Sequence, residues 1–271
     1  MALVAVAVAC LTSCSQVGPA TGPSDPVAGR PAAAAGYGRL VTVPGPSGRT
    51  PILFIGASYT AGVGARTPGD GFAPRVARDL GRPAYIDAVP GSGFLNPAGM
   101  FGGEFAARLR RLRLPGRPGI VLFQGGRNDT GYPGPALARA ADETLRLAGA
   151  LFPGAQVVVL GPVPGHLPVS SALLSVDAAL RAVATRDGAT YVDPIRAGWM
   201  THGNLPGFSG VVRDHPNDVG YAYVARRVVT ALSGGRPDPG AAVARVSSAP
   251  GHGPAKPSLA GQPAVSVPSG A

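Results

Sequence analysis

Pro51-Ile52-Leu53-Phe54-Ile55-Gly56-Ala57-Ser58-Tyr59-Thr60-Ala61-Gly62 is the stretch on which the reading of this chain turns. The unbroken apolar run from Pro51 to Ile55 has the pattern of a strand buried on both faces, and it passes directly into a glycine-bracketed turn that presents one serine, Ser58. In an open parallel sheet the carboxyl ends of the strands are where ligands bind and reactive groups sit. A serine in a Gly-rich turn is also an ordinary turn residue. Ser58 therefore takes its meaning from what the rest of the chain delivers to the same edge.

After the turn, Asp70 is expected to cap a helix with Phe72, Val76 and Leu80 on one face, ended by Gly81. Ala84 to Val89 reads as a second strand, with Pro90-Gly91-Ser92-Gly93-Phe94 as an irregular loop at its carboxyl end. Phe101 to Leu112 reads as an amphipathic helix, with Phe101, Phe105, Leu109 and Leu112 on one face and arginines opposite. The short apolar run Gly119 to Phe123 reads as a central strand that brings Gln124-Gly125-Gly126-Arg127-Asn128-Asp129 to the edge where Ser58 sits. A helix from Ala136 to Phe152, a strand from Gln156 to Leu160, a helix from Ala172 to Arg186 and a strand from Thr190 to Val192 follow, and Val219 to Leu232 reads as a closing helix. His215 lies in the loop just before it. This alternation predicts an α/β fold, a three-layer α/β/α sandwich around a central parallel sheet of about five strands. Right-handed crossovers then place every strand's carboxyl end on one edge.

The expected domain spans residues 51–232, ample for a single core. Residues 15–50 and 233–271 are dominated by Pro, Gly, Ala and Ser, and are expected to be a flexible linker and a disordered tail, because such segments bury too little surface to offset the entropy of ordering. Met1 to Ser13 is small and apolar, too short to span a bilayer but suited to a signal-peptide core. It runs into Leu11-Thr12-Ser13-Cys14, which matches the bacterial lipoprotein signal, so residues 1–14 are expected to be a signal ending at an acylated Cys14. The protein would then be exported and tethered to the outer face of the cytoplasmic membrane. No Lys or Arg precedes the apolar run, which leaves secretion without an anchor as the alternative.

Cys10 and Cys14 are the only cysteines, which excludes a disulfide, a thiol nucleophile or a Cys-ligated metal in the domain. The chain carries a formal charge of +10, and Lys256 is its only lysine. The densest basic cluster, Arg108, Arg110, Arg111, Arg113 and Arg117, has no accompanying nucleic-acid motif or aromatic interleaving and is read as a solvated helix face that could rest on an anionic envelope. No nucleic-acid partner is expected, and a monomer is. Neither a phosphate-binding nor a dinucleotide glycine pattern surrounds Ser58, and no His and carboxylate cluster has metal-ligand spacing, so no cofactor or metal is expected. The Gly-x-Ser-x-Gly elbow of α/β-hydrolases is not matched either, since Ser58 is followed by Tyr59-Thr60-Ala61-Gly62 on the first strand.

Four blocks occur in order, each just after or beyond a predicted strand: Gly56-Ala57-Ser58, Gly91-Ser92-Gly93, Gly126-Arg127-Asn128-Asp129, and His215-Pro216-Asn217 followed by Gly220-Tyr221. With them the chain resembles the SGNH (GDSL-like) hydrolases over roughly residues 51–232. The resemblance implies a flavodoxin-like fold and hydrolysis of carboxylic esters through an acyl-enzyme on Ser58, with His215 as base. It also implies that the oxyanion donors are the backbone N–H of Ser58, the backbone N–H of Gly91 and the side-chain amide of Asn128. The chemistry is consistent: a serine needs a base and donors for the oxyanion, and imidazole titrates near neutrality. A missing side chain lets substrate approach the backbone at Gly93 as well as at Gly91, and only the family pattern prefers Gly91. Asp129 is placed to order the Asn128 loop. His166, His202 and His252 are weaker candidates for the base.

Two positions depart from the family pattern. Ala57 replaces the usual Asp before the nucleophile. The acid normally three residues before the histidine is Val212 here, while Asp214 immediately precedes His215. Adjacent side chains in an extended loop point apart, so a Ser58–His215 dyad with a backbone carbonyl near Val212 accepting the imidazole N–H is favoured, with Asp214 as the alternative orienting group. The expected substrates are short-chain acyl esters or acetyl groups on envelope polysaccharide. The competing function is a surface lipoprotein that keeps the scaffold as a binding module and lost activity with its acid.

Overall fold

In the computed structural model, residues 38–99 and 103–234 are described. The expected signal with Cys14, most of the 15–50 stretch, Phe101, and the tail beyond 234 lie outside the described residues. Strand β2 (Ile52–Gly56) shows why its run of apolar residues is unbroken. Ile52 and Phe54 enter a core shared with helices α1 (Phe72–Asp79) and α6 (Asp218–Leu232), whereas Leu53 and Ile55 enter a second core with α2 (Phe105–Arg111), α3 (Gly134–Leu151) and α4 (Ser171–Arg186). Strand β4 (Ile120–Gln124) splits in the same way, Ile120 and Leu122 to one side, Val121 and Phe123 to the other. A strand covered by helices on both faces has no position that favours a polar side chain.

Strands β3 (Ala84–Ala88), β5 (Gln156–Leu160) and β6 (Thr190–Val192) complete the parallel set. Their order, β3-β2-β4-β5-β6, is that of flavodoxin-like sheets, with the chain reversing direction of growth at β2 and β4. Gly56, the last residue of β2, pairs with both Ala88 and Gln124, so the loops after β2, β3 and β4 leave the sheet side by side. These loops carry Ser58, Gly91 and Asn128.

Among the described residues the sheet has six strands, one more than expected. Strand β1 (Val41–Val43) lies within the stretch read as flexible and pairs antiparallel with β3, Thr42 opposite Tyr85. Three residues are too short for a periodic signal, but two β-branched valines around a threonine suit a half-exposed edge, and the strand covers the flank of β3. Asp70 does not cap α1. It ends a short 3-10 turn, Gly71 takes the cap position, and the Asp70 carboxylate accepts a 2.8 Å bond from Thr67 Oγ1 and pairs with Arg75 at 3.4 Å. The loop from 197 to 212 holds a four-residue helix, α5 (Leu205–Phe208), and buries Trp199, Met200 and Phe208 against the α1/α6 core.

Candidate functional site

Ser58 sits in a closed turn. The carbonyls of Ala57 and Ser58 accept the N–H groups of Ala61 and Val63, each at 3.0 Å. Thr60 ties the turn to the end of β4, its N–H and hydroxyl both donating to Gln124 Oε1 at 3.2 and 2.9 Å. At the far side of the turn, Gly64 has φ 93°, and a Cβ there would lie 2.7 Å from the Pro216 carbonyl oxygen and 3.1 Å from the His215 Cβ. The serine turn and the histidine loop can approach this closely only because that side chain is missing.

His215 completes the contact across 157 residues of chain, its Nε2 lying 2.8 Å from Ser58 Oγ. Its Nδ1 lies 2.7 Å from the carbonyl oxygen of Arg213. A carbonyl only accepts, so Nδ1 carries the hydrogen and the Nε2 lone pair faces the serine hydroxyl. Burial holds the imidazole below its ordinary value; the Arg213 hydrogen bond and the Asp214 charge oppose this, and the Arg127 guanidinium adds to it. The ring is thus neutral and ready to take a proton near pH 7.

The orienting carbonyl is Arg213, not Val212. The Val212 carbonyl instead accepts the backbone N–H of His215 at 3.1 Å, closing a tight turn in which Asp214 adopts φ 60°. That left-handed residue folds the chain back so that the carbonyl two positions before the histidine meets its ring. The Asp214 carboxylate is turned to Arg127 and to His166 Nδ1, each 3.5 Å away. Tyr59, unremarked in the sequence, secures this loop: its hydroxyl donates to the Asp214 carbonyl at 2.8 Å, and its ring packs 5.4 Å from the imidazole. Burial pushes its phenol up to about 12, so it stays a neutral donor. Asn217 caps α6, accepting from Gly220 N–H at 2.9 Å, and its amide holds the Gly207 and Ser209 carbonyls at 2.9 and 3.1 Å.

The two glycines after β3 separate. Gly93 N–H is committed to the Asn96 carbonyl at 2.8 Å, and a Cβ on Gly93 would collide with the Asp129 carboxylate. Among the described residues, nothing accepts a hydrogen bond from Gly91 N–H or Ser58 N–H. Asn128 donates one amide hydrogen to the Ser92 carbonyl at 2.7 Å, which leaves the other unspent. Asp129, fully buried, accepts the N–H groups of Phe94, Leu95 and Asn96 at 3.0 to 3.1 Å and so orders the loop. Burial raises its carboxyl, and those three N–H groups oppose the rise.

Arg108 departs from the solvated face expected of its cluster. Its side chain is 3% exposed and pairs with Asp87 of β3 at 3.1 Å. The signal was present: Arg108 stands three residues after Phe105 on the apolar face of α2, and Asp87 interrupts an otherwise apolar strand. His166 and His202 are exposed, and His252 lies outside the described residues. Among the described residues no group of three or more His, Cys, Asp and Glu could hold a metal ion.

The chain is similar to known proteins. The profile of the GDSL-like lipase/acylhydrolase family matches residues 54–223. A GDSL lipase of Mycobacterium tuberculosis is 31% identical over 196 residues, 68% of this chain and 81% of the relative. Among solved structures, TesA shares the fold with a TM-score of 0.53 at 21% identity, over 68% of this chain and 98% of that one. A family two carbohydrate esterase from Clostridium thermocellum shares it with a TM-score of 0.55 at 18% identity, over 70% and 65%.

Proposed function

The chain belongs to the GDSL-like lipase/acylhydrolase family, and from that premise we propose that it is a serine esterase acting through an acyl-enzyme on Ser58. The observation that carries this reading is the 2.8 Å contact between Ser58 Oγ and His215 Nε2, with Nδ1 held by a carbonyl. Nε2 takes the hydroxyl proton as Oγ adds to the ester carbonyl carbon. The oxyanion is received by the N–H groups of Ser58 and Gly91 and by the free amide hydrogen of Asn128. His215 then returns the proton to the departing alcohol oxygen, leaving the acyl group on Ser58. A water, deprotonated in turn by His215, cleaves that ester and restores the serine. No carboxylate is required: the Arg213 carbonyl fixes the ring's tautomer and orientation, and Asp214 supports the imidazolium only at a distance.

The substrates proposed are short-chain acyl esters or acetyl groups on envelope polysaccharide. Relatives named as a lipase and as a carbohydrate esterase support both arms. The residue 11–14 sequence supports an exported protein anchored through an acylated Cys14. The test is to incubate the protein with a fluorophosphonate probe, a series of aryl esters of increasing acyl length, and acetylated glycans. Labelling at Ser58 with turnover of acetyl or other short acyl groups is expected. Absence of both labelling and turnover from neutral to mildly alkaline pH would favour the binding-module alternative instead.

A further inference from the structure

One guanidinium joins the strand end that leads to the serine and the loop that carries Gly91 and holds the Asn128 amide. Arg108 Nη1 donates to Ser92 Oγ at 2.7 Å and to the Gly56 carbonyl at 3.2 Å. Its Nη2 donates to the Gly56 carbonyl at 3.3 Å and to the Asp87 carbonyl at 2.5 Å, while Nε reaches Asp87 Oδ2 at 3.3 Å. Gly56 ends β2 two residues before Ser58. Ser92 follows Gly91, passes its own hydroxyl hydrogen to the Val89 carbonyl at 2.7 Å, and accepts the Asn128 amide on its carbonyl at 2.7 Å. The Phe105 ring lies under the guanidinium, 5.5 Å from its centre.

We propose that Arg108 is a positioning residue that, through Ser92, sets the spacing between the Ser58 turn and the Asn128 donor; this rests on the esterase reading of those residues. Stability alone is a poor reason for the pair. A buried Arg–Asp pair is costly to desolvate, and two packed apolar side chains commonly hold a fold as well or better. What apolar side chains lack is a rigid planar fork that binds several acceptors in fixed directions. Here the fork spans the ends of β2 and β3 and the turn between Gly91 and Gly93. Asn128 can present its second hydrogen to an oxyanion only while the Ser92 carbonyl that orients its amide stays in place. Oxyanion donors act over a narrow range, and a shift of about 1 Å can cost on the order of 100-fold in rate.

The experiment is a double-mutant cycle read by steady-state ester hydrolysis, with active sites counted by fluorophosphonate titration so that unfolded protein does not register as lost kcat. Arg108→Lys keeps a cation beside Asp87 but cannot span the Gly56, Ser92 and Asp87 acceptors together. It is expected to lower kcat about 10- to 100-fold with KM changed less than about twofold. In an Asn128→Ala background the same substitution is expected to lower kcat by no more than about twofold, because the donor it positions is already gone. Ser92→Ala, which removes only the hydroxyl link and keeps the backbone carbonyl, serves if Arg108→Lys does not fold; a smaller loss, about fivefold, with the same masking is expected. Unchanged kcat in these variants, or a full loss repeated in the Asn128→Ala background, overturns the positioning role alone. A wild-type protein without turnover or labelling overturns the esterase reading, and this inference with it.

Discussion

The carbonyl oxygen of Arg213 lies 2.7 Å from Nδ1 of His215, while the carboxylate of Asp214, the residue between them, faces Arg127 and His166. A main-chain group therefore occupies the position beside the imidazole that an acid occupies in a triad. Asp214→Asn should keep kcat within about threefold of wild type, since it removes only a distant charge and a part-exposed ion pair. His215→Ala should lower kcat by roughly a thousandfold or more. Steady-state kinetics on one aryl ester decides the matter, and comparable losses in both variants would return Asp214 to the role of triad acid.

The pH profile carries a sign. Burial holds the His215 imidazole below its ordinary value, and a general base works only when neutral. The competent fraction therefore falls as pH drops through the lowered value, and the acid limb of kcat/KM should bend below about 6.5, the unperturbed figure. Arg127→Gln removes one cation that contributes to the lowering and should move the bend upward. A wild-type bend at pH 7 or above would contradict the assignment of His215 as base.

Gly64→Ala tests the contact between the serine turn and the histidine loop. The new Cβ meets the Pro216 carbonyl at 2.7 Å, in a backbone conformation that costs an L-residue roughly 1–2 kcal/mol. Since the Pro216 side carries His215, the loop must give way. The expected result is a kcat lowered about tenfold or more, a slower fluorophosphonate reaction and a lower Tm. Full activity in this variant would show that the loop is held without the close approach.

Asp129→Asn leaves one amide oxygen where two carboxylate oxygens accept three backbone N–H groups. At least one buried donor then loses its partner, at a cost of about 1–3 kcal/mol. Urea unfolding should show a midpoint lowered with the slope unchanged. The loop it orders also carries Asn96, whose amide holds the Asn128 carbonyl at 3.0 Å, so kcat should fall as well. An unaltered midpoint would mean that the three donors find other acceptors.

Much of this was legible in the chain. The apolar runs at Ile52 and Ile120 named the central strands because burial on both faces leaves no alternation, and the four blocks located the loops that converge on Ser58. Other features were hidden for identifiable physical reasons. The Arg213 carbonyl has no side-chain identity to betray it, and the turn that aims it depends on a single left-handed residue, Asp214. Arg108 looks like a surface residue because arginines surround it, although its place beside Phe105 and Leu109 argues for the core. Strand β1 escaped because three residues among prolines and glycines give no period to count.

The separation of 157 positions between Ser58 and His215 ties function to the order of synthesis. The serine turn follows β2, whereas the histidine precedes α6, the last helix among the described residues, which packs on α1. A chain that grows from its amino end and folds as it lengthens thus holds an inert hydroxyl until nearly all of the domain exists. On the proposed mechanism hydrolytic competence is the last property the domain acquires, so activity in a nascent or shortened chain would report that folding has reached its end.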